Sequence, residues 1–335
     1  MPDYTEILSK HYQSRGMTDD QVLQAVQAVQ ELEVWLKARA ISMEDVTVDI
    51  IRDYVAHLVA SGQNTTEQLL ALARLFNLIH QHEIYVFFTS LFGSQDVMET
   101  IRDRIRSLEG EKAADAVFKG IEPPPLGAPL TEMPLYTQSV LTRIAEGRTE
   151  EQCAKLLAGN NHGLSRESQL GEKAFLEKAG SLDRYLQERH QRQVVELQKY
   201  CDENRVWFEQ IITQEVVDFV ASDPEIQSAV RVGNKLFTTK IPYDTAAYLH
   251  AADPDERRYY LCHCPFIRET FRDHRTAIDP VWCYCSGGFV KYPFEVLFDT
   301  DLEVELLESP LMGHDRCRFA ITLPDEVMEK WVEEG

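Results

Sequence analysis

Between residues 121 and 134 the chain reads IEPPPLGAPLTEMP, five prolines and one glycine in fourteen positions. Each proline lacks the amide proton that a helix or a ladder needs and holds φ at about −65°, so no helix runs through this stretch and it reads as a semi-rigid linker. The expected organisation of the 335 residues is therefore a first domain over 1–110, a linker over 111–134 and a second domain over 135–335.

Apolar periodicity assigns the elements on either side. Val22, Val26, Val29, Leu32 and Leu36 recur at helical spacing behind Thr18-Asp19, which predicts a helix over 18–39. Further helices are expected over 45–60, 65–80 and 83–92, with Thr65 as a start signal and Gly62 and Gly93 as stops. The part before the prolines thus reads as a helical bundle. Behind them, helices are expected over 136–145, 150–157, 165–177, 181–201 and 207–221, the last stopped by Asp223-Pro224. From Leu236 the pattern changes. Leu236 to Ile241 is strand-like, and Leu302, Val304 and Leu306 alternate with Glu303 and Glu305, as Cys317, Phe319 and Ile321 do with Arg318 and Ala320. That predicts a hairpin with one buried face, a short helix over 291–299 and, for the whole chain, the α+β class.

Charge narrows the partners. Against 34 lysines and arginines stand 55 acidic residues, a formal charge of −21, and residues 1–110 alone carry nine basic and sixteen acidic side chains. Nucleic acid and anionic membrane surfaces are repelled by such a balance, and a nucleic-acid-binding bundle needs a basic stripe that is missing here. No run approaches the length of a membrane helix and the N-terminal residues do not follow the plan of a secretory signal, so a cytoplasmic protein is expected.

Chemistry concentrates in the cysteines. Five of seven fall within residues 262–317: Cys262-His263-Cys264-Pro265, Cys283-Tyr284-Cys285-Ser286-Gly287-Gly288, and Cys317. In a reducing compartment such a cluster points to metal or reactive-thiol chemistry before disulfides, and the glycines after Cys285 are expected to let the chain fold back and bring the thiols together. Cys262, Cys264, Cys283, Cys285 and Cys317 are the candidate ligands of a zinc ion, which prefers four soft donors. A nucleophilic cysteine is the competing reading, since His263, His274, Arg268 and Lys291 are near in sequence. Gly159-Asn160-Asn161-His162-Gly163 and the strand-end group Lys240, Pro242 and Tyr243 are weaker candidates for a pocket. With Trp282 they give a ligand-binding set of His162, Lys240, Tyr243 and Trp282, for which catalytic roles are unassigned. The apolar set from Trp207 to Phe219 is expected to be core, with a cavity wall or homodimer face as the lesser reading.

Two resemblances bear on these motifs. Residues 32–82 resemble the core-binding, SAM-like helical domain of tyrosine recombinases in the order of helices and in Leu36, Ile50, Tyr54, Leu58, Leu72 and Phe76. The chain contains no His-x-x-Arg, so the catalytic half of that family is absent. Pro280 to Phe289, with Glu303 to Phe319, resembles the end of the four-vinyl-reductase-type small-molecule-binding domain, and is similar to the L-2-amino-thiazoline-4-carboxylic acid hydrolase-like family. Residues 135–330 resemble most an uncharacterised bacterial family with Cys-x-Cys-Pro and Cys-x-Cys-Ser-x-Gly motifs. Cys283 and Cys317 fall on two zinc-ligating positions of the sensor pattern, while Leu306 and Ser309 stand where that pattern has glutamate and cysteine. Cys262, Cys264 and Cys285 offer replacement thiolates.

What these likenesses imply is a module that binds or senses a small organic ligand beside a zinc site. The alternatives are a hydrolase using metal-bound water or a cysteine, and an interaction scaffold with a structural metal.

Overall fold

Side-chain caps start the helices where the sequence places them. Thr18 accepts from the Gln21 amide while the Gln21 side chain accepts from the Thr18 amide, a reciprocal pair that opens the helix Asp19–Lys37. Thr47 and Thr65 open Val48–Ser61 and Thr66–Leu78 with a one-way cap, their side chains accepting from the Ile50 and Gln68 amides, with Tyr4–Ser14 before them and His82–Phe92 after. This computed structural model describes residues 3–93 and 96–332, and the chain divides into two compact units.

The first unit comprises Met1–Gly93 and Pro123–Glu132. Its helices bury Leu8, Val29, Leu32, Leu72, Phe76 and Phe88 in one core. The proline-rich stretch is not a free linker. It straps onto this bundle: the Asn64 side-chain amide donates to the Leu126 carbonyl at 2.7 Å, and Ala128 is buried. Gly127 lies at φ +86°, and a Cβ there would stand 2.7 Å from Val55 Cγ1.

The second unit comprises Ser94–Glu122 and Met133–Gly335. Residues 97–118, assigned from sequence to the first domain and linker, form the helices Val97–Glu109 and Glu111–Phe118 of this unit. Val97, Ile101, Ile105 and Val117 join its core beside Met133–Ala145 and Glu150–Leu157. Pro134 occupies the first turn of Met133–Ala145, where its missing amide breaks no hydrogen bond.

Among the described residues six strands follow: β1 Val206–Trp207, β2 Gln210–Ile211, β3 Val230–Val232, β4 Lys235–Thr239, β5 Glu303–Glu308 and β6 Arg318–Thr322. The expected 207–221 helix is shortened to Gln214–Ala221, because β1 and β2 pair as a two-residue hairpin that turns through Phe208 at φ +51°. The remaining four strands make one antiparallel sheet in the order β3-β4-β6-β5, with Leu236 opposite Ile321 and Leu306 opposite Phe319. The hairpin read from the alternation is thus β5 and β6. Its apolar face packs with the helices Leu182–Asp202 and Tyr284–Phe298. The α+β class is confirmed, and among the described residues no helix is long and apolar enough to cross a membrane.

A charged cluster binds the far face of the sheet to the loop before β3. Both Glu225 oxygens accept from Arg318, each at 2.7 Å, and the same carboxylate meets Thr239 and Arg316. Burial raises the Glu225 pKa, but the hydrogen bonds from Arg318 and Thr239 outweigh it, and the folded value lies below the ordinary one of 4.5. A depressed carboxylate contributes stability that is complete above the ordinary value and is lost as pH falls through the folded one. Glu225→Gln is therefore expected to cost about 2 kcal/mol at pH 7. In urea unfolding the gap from wild type should close as pH falls from 5 toward 3, and a gap constant across that range would assign the loss to packing.

Candidate functional site

Three separate segments carry the five clustered cysteines to one place. The helix Pro254–Leu261 ends with Cys262 as its extended C-cap, and the chain then turns through Pro265, with the Cys264 carbonyl accepting from the Ile267 and Arg268 amides. Asp279 caps the short turn Pro280–Cys283, which runs directly into Tyr284–Phe298, so Cys285 sits in the first turn of that helix. Cys317 lies just before β6, and the Lys240 amide donates to its carbonyl at 2.9 Å, which sets Lys240 beside it at the end of the sheet.

Gly287 and Gly288 do not turn the chain back, as their place in the motif suggested. They lie inside the helix Tyr284–Phe298 and thin two of its faces. A Cβ on Gly287 would stand 3.2 Å from Val304 and 3.4 Å from Phe319, and one on Gly288 would stand 2.0 Å from the Gly159 carbonyl oxygen. The helix thereby lies against the sheet on one side and against the 158–162 segment on the other. That second approach carries Asn161 and His162 to Cys285.

The result is a cavity of about 40 Å³. Cys262, Cys264, Cys283, Cys285 and Cys317 all line it, with His162, His263, Lys240 and Trp282. Donors point at the sulfurs: Trp282 Nε1 to Cys264 Sγ at 3.4 Å, and Asn161 Nδ2 to Cys285 Sγ at 3.6 Å. His162 Nε2 lies 3.7 Å from Cys285 Sγ. His263 Nε2 is 2.6 Å from the Ile241 carbonyl and must donate to it, which leaves Nδ1 of this imidazole with its lone pair.

Burial pushes every one of these thiols up, Cys285 to about 12 and Cys317 to about 11, and holds all five as neutral thiols near pH 7. Burial and the Lys240 charge depress the histidines in turn, His263 to about 3. The sulfurs also oppose one another's ionisation. Cys283 is raised by Cys317, Cys262 and Cys264, Cys262 by Cys264 and Cys317, and Cys317 and Cys285 each by Cys264. Among the described residues no three His, Cys, Asp or Glu side chains already stand in a group that could hold a metal ion.

All five predicted cysteines, and His162, Lys240 and Trp282, thus meet at one cavity. Tyr243 stands outside it, edge-on to the His263 ring and under the Arg268 guanidinium at 3.8 Å. His263 and Asn161 belong to the site without having been selected as site residues. His263 had a visible signal, its place inside Cys-x-Cys, whereas Asn161 depends on the Gly159–Gly288 approach. Cys153 is buried in the helical core with Ile144 and is not part of the cavity.

Residues 237–328 match the model of a family of unknown function, DUF6144. The match spans β4 to the last helix and takes in Lys240, Tyr243 and the five cysteines, but not Asn161 or His162. No curated protein matches the chain, and no solved structure matches it.

Proposed function

We propose that the second unit binds one soft metal ion, with zinc as the expected occupant, through Cys262, Cys264, Cys283 and Cys317. The observation that supports this best is the convergence of cysteines from three segments on one small cavity of about 40 Å³. That volume suits an ion or roughly three waters. It is far below the roughly 300–1,000 Å³ of an organic-ligand pocket, so the small organic molecule expected from sequence is not assigned to it.

Chemistry favours the same reading. Buried thiols with raised pKa values make poor nucleophiles, and the depressed histidines supply no imidazolium to activate one. A soft cation removes the obstacle, because it draws off the thiol protons and replaces their mutual repulsion with metal–sulfur bonds. The Trp282 N–H then holds the Cys264 sulfur as a second-layer donor, as hydrogen bonds to ligating groups commonly do. Four thiolates leave a zinc centre net negative, and Lys240 offsets part of that charge. Because no donor group is already assembled, binding must draw the sulfurs inward by side-chain rotation.

Cadmium, a soft ion with an ultraviolet sulfur-to-metal charge-transfer band, is the probe of choice. Titration of the metal-free protein is expected to saturate at one ion per chain, with four thiols lost to a thiol reagent. Cys262→Ser should weaken binding strongly while Cys201→Ser, outside the cavity, leaves it intact. Absence of the band, or equal binding by wild type and Cys262→Ser, overturns the proposal.

A further inference from the structure

We infer that His162 and Cys285 form the port through which a soft metal ion passes between solvent and the four-sulfur site, a role that rests on that site being a metal site. Of the residues lining the cavity, His162 alone is exposed, while all five cysteines are buried or half-buried. Its Nε2 lies 3.7 Å from the Cys285 sulfur, and the other four thiols line the same cavity behind that pair. The donors therefore form a sequence from outside to inside: imidazole, outer thiol, then the inner four. A ligand set that served only to clamp an ion would have no use for the fifth cysteine, whereas a soft ion moving by ligand exchange needs a donor at each step.

Asn161 supplies an independent sign that something binds here. It is 1% exposed, its amide nitrogen donates to the Leu157 carbonyl at 2.6 Å and to Cys285, yet its Oδ1 has no hydrogen-bond partner. Buried acceptors are rarely left open. A hydrated ion at His162 and Cys285 carries the O–H groups that this oxygen lacks.

The surroundings suit an exchange step. Cys285 lies in the first turn of a fifteen-residue helix, and Lys240 lines the same cavity. The bookkeeping of protons is simple. His162 offers the lone pair of its neutral ring, Cys285 releases its thiol proton to solvent as the metal–sulfur bond forms, and it regains one when the ion moves on to the inner thiols, which release theirs. The edge of the Phe289 ring against His162, with centroids 5.2 Å apart, keeps the imidazole at the mouth.

The test separates rates from equilibrium. Wild type, His162→Ala, Cys285→Ser and the double variant are loaded with zinc, and transfer of the ion to an excess of a chromogenic chelator is followed by stopped flow, as is reloading of the metal-free forms. The expected result is that release and loading both slow about ten-fold or more in each single variant. The double variant should be no slower than the singles, and metal content at saturation should stay at one per chain. Rates within two-fold of wild type, or faster release on opening the mouth with His162→Ala, overturn the port. A Cys285→Ser protein that no longer holds zinc at saturation also overturns it, since Cys285 is then a resident ligand. Failure of wild type to take up zinc defeats the metal site itself, and is recognised as such because no variant comparison is reached.

Discussion

Gly288→Ala is expected to destabilise the second unit by about 3 kcal/mol or more, at the upper end of overpacking costs. The added methyl would meet backbone: the Gly159 oxygen at 2.0 Å, the Ala158 carbonyl carbon at 2.7 Å and the Gly159 carbonyl carbon at 2.8 Å. None of these atoms can rotate away, so the helix and the 158–162 segment must part. The neighbouring Gly287→Ala provides the control. Its methyl meets the side chains of Val304 and Phe319 at 3.2 and 3.4 Å, which can yield by tenths of an ångström, and alanine gains about 1 kcal/mol of helix propensity at either position. Urea midpoints should place Gly287→Ala near wild type and Gly288→Ala far below it. Equal midpoints for the two would refute the close approach. Where Gly288→Ala remains folded, His162 and Asn161 no longer reach Cys285, and that thiol should react faster with an alkylating reagent than in wild type.

Trp282→Ala is expected to cost roughly 3–5 kcal/mol, the usual loss for emptying a large buried aromatic site. The indole is 1% exposed and meets Phe266 edge-on with centroids 5.8 Å apart. Its second role is separable from packing. Trp282→Phe retains most of the buried surface but removes the N–H that reaches Cys264 at 3.4 Å. This variant should keep most of the stability lost by the alanine form and still bind cadmium about ten-fold more weakly than wild type, the scale on which supporting hydrogen bonds tune metal ligands. Unchanged affinity in Trp282→Phe would reduce the indole to a core residue.

How far the sequence alone leads depends on the range of the forces involved. Capping residues act within one turn, and so Thr18 and Thr65 mark their helices correctly, while the helix expected from 45 begins at Val48, behind Thr47. Strand alternation records a single buried face, and the register of β5 with β6 follows it, Val304 against Ile321 and Leu306 against Phe319. The meeting of five cysteines was legible because their clustering limits how far apart they can be held. What stayed hidden was tertiary. Glycine pairs look alike whether they turn a chain or admit a neighbour, and Gly287-Gly288 do the second. The β1–β2 hairpin hides in an apolar run because its turn uses Phe208 at a positive φ, where glycine or asparagine would have announced it. Residues 97–118 carry a good amphipathic pattern, but nothing local tells which of two cores its apolar side will join.

The strap of prolines also decides how the chain can be divided. Because Pro123–Glu132 completes the first unit after the second has already begun at residue 94, the two units are interleaved in sequence. A chain cut at 110 or at 122 keeps the five N-terminal helices but strips Leu126 from their core and Gly127 from beside Val55, Val59 and Leu69, leaving apolar surface open to water. A chain beginning at 135 lacks the Val97–Glu109 and Glu111–Phe118 helices that cover the cysteine-bearing core. During synthesis the same order holds. The ribosome must deliver the first two helices of the second unit before the first can close, so for some seconds both units are unfinished together, at the roughly 5–20 residues per second of elongation.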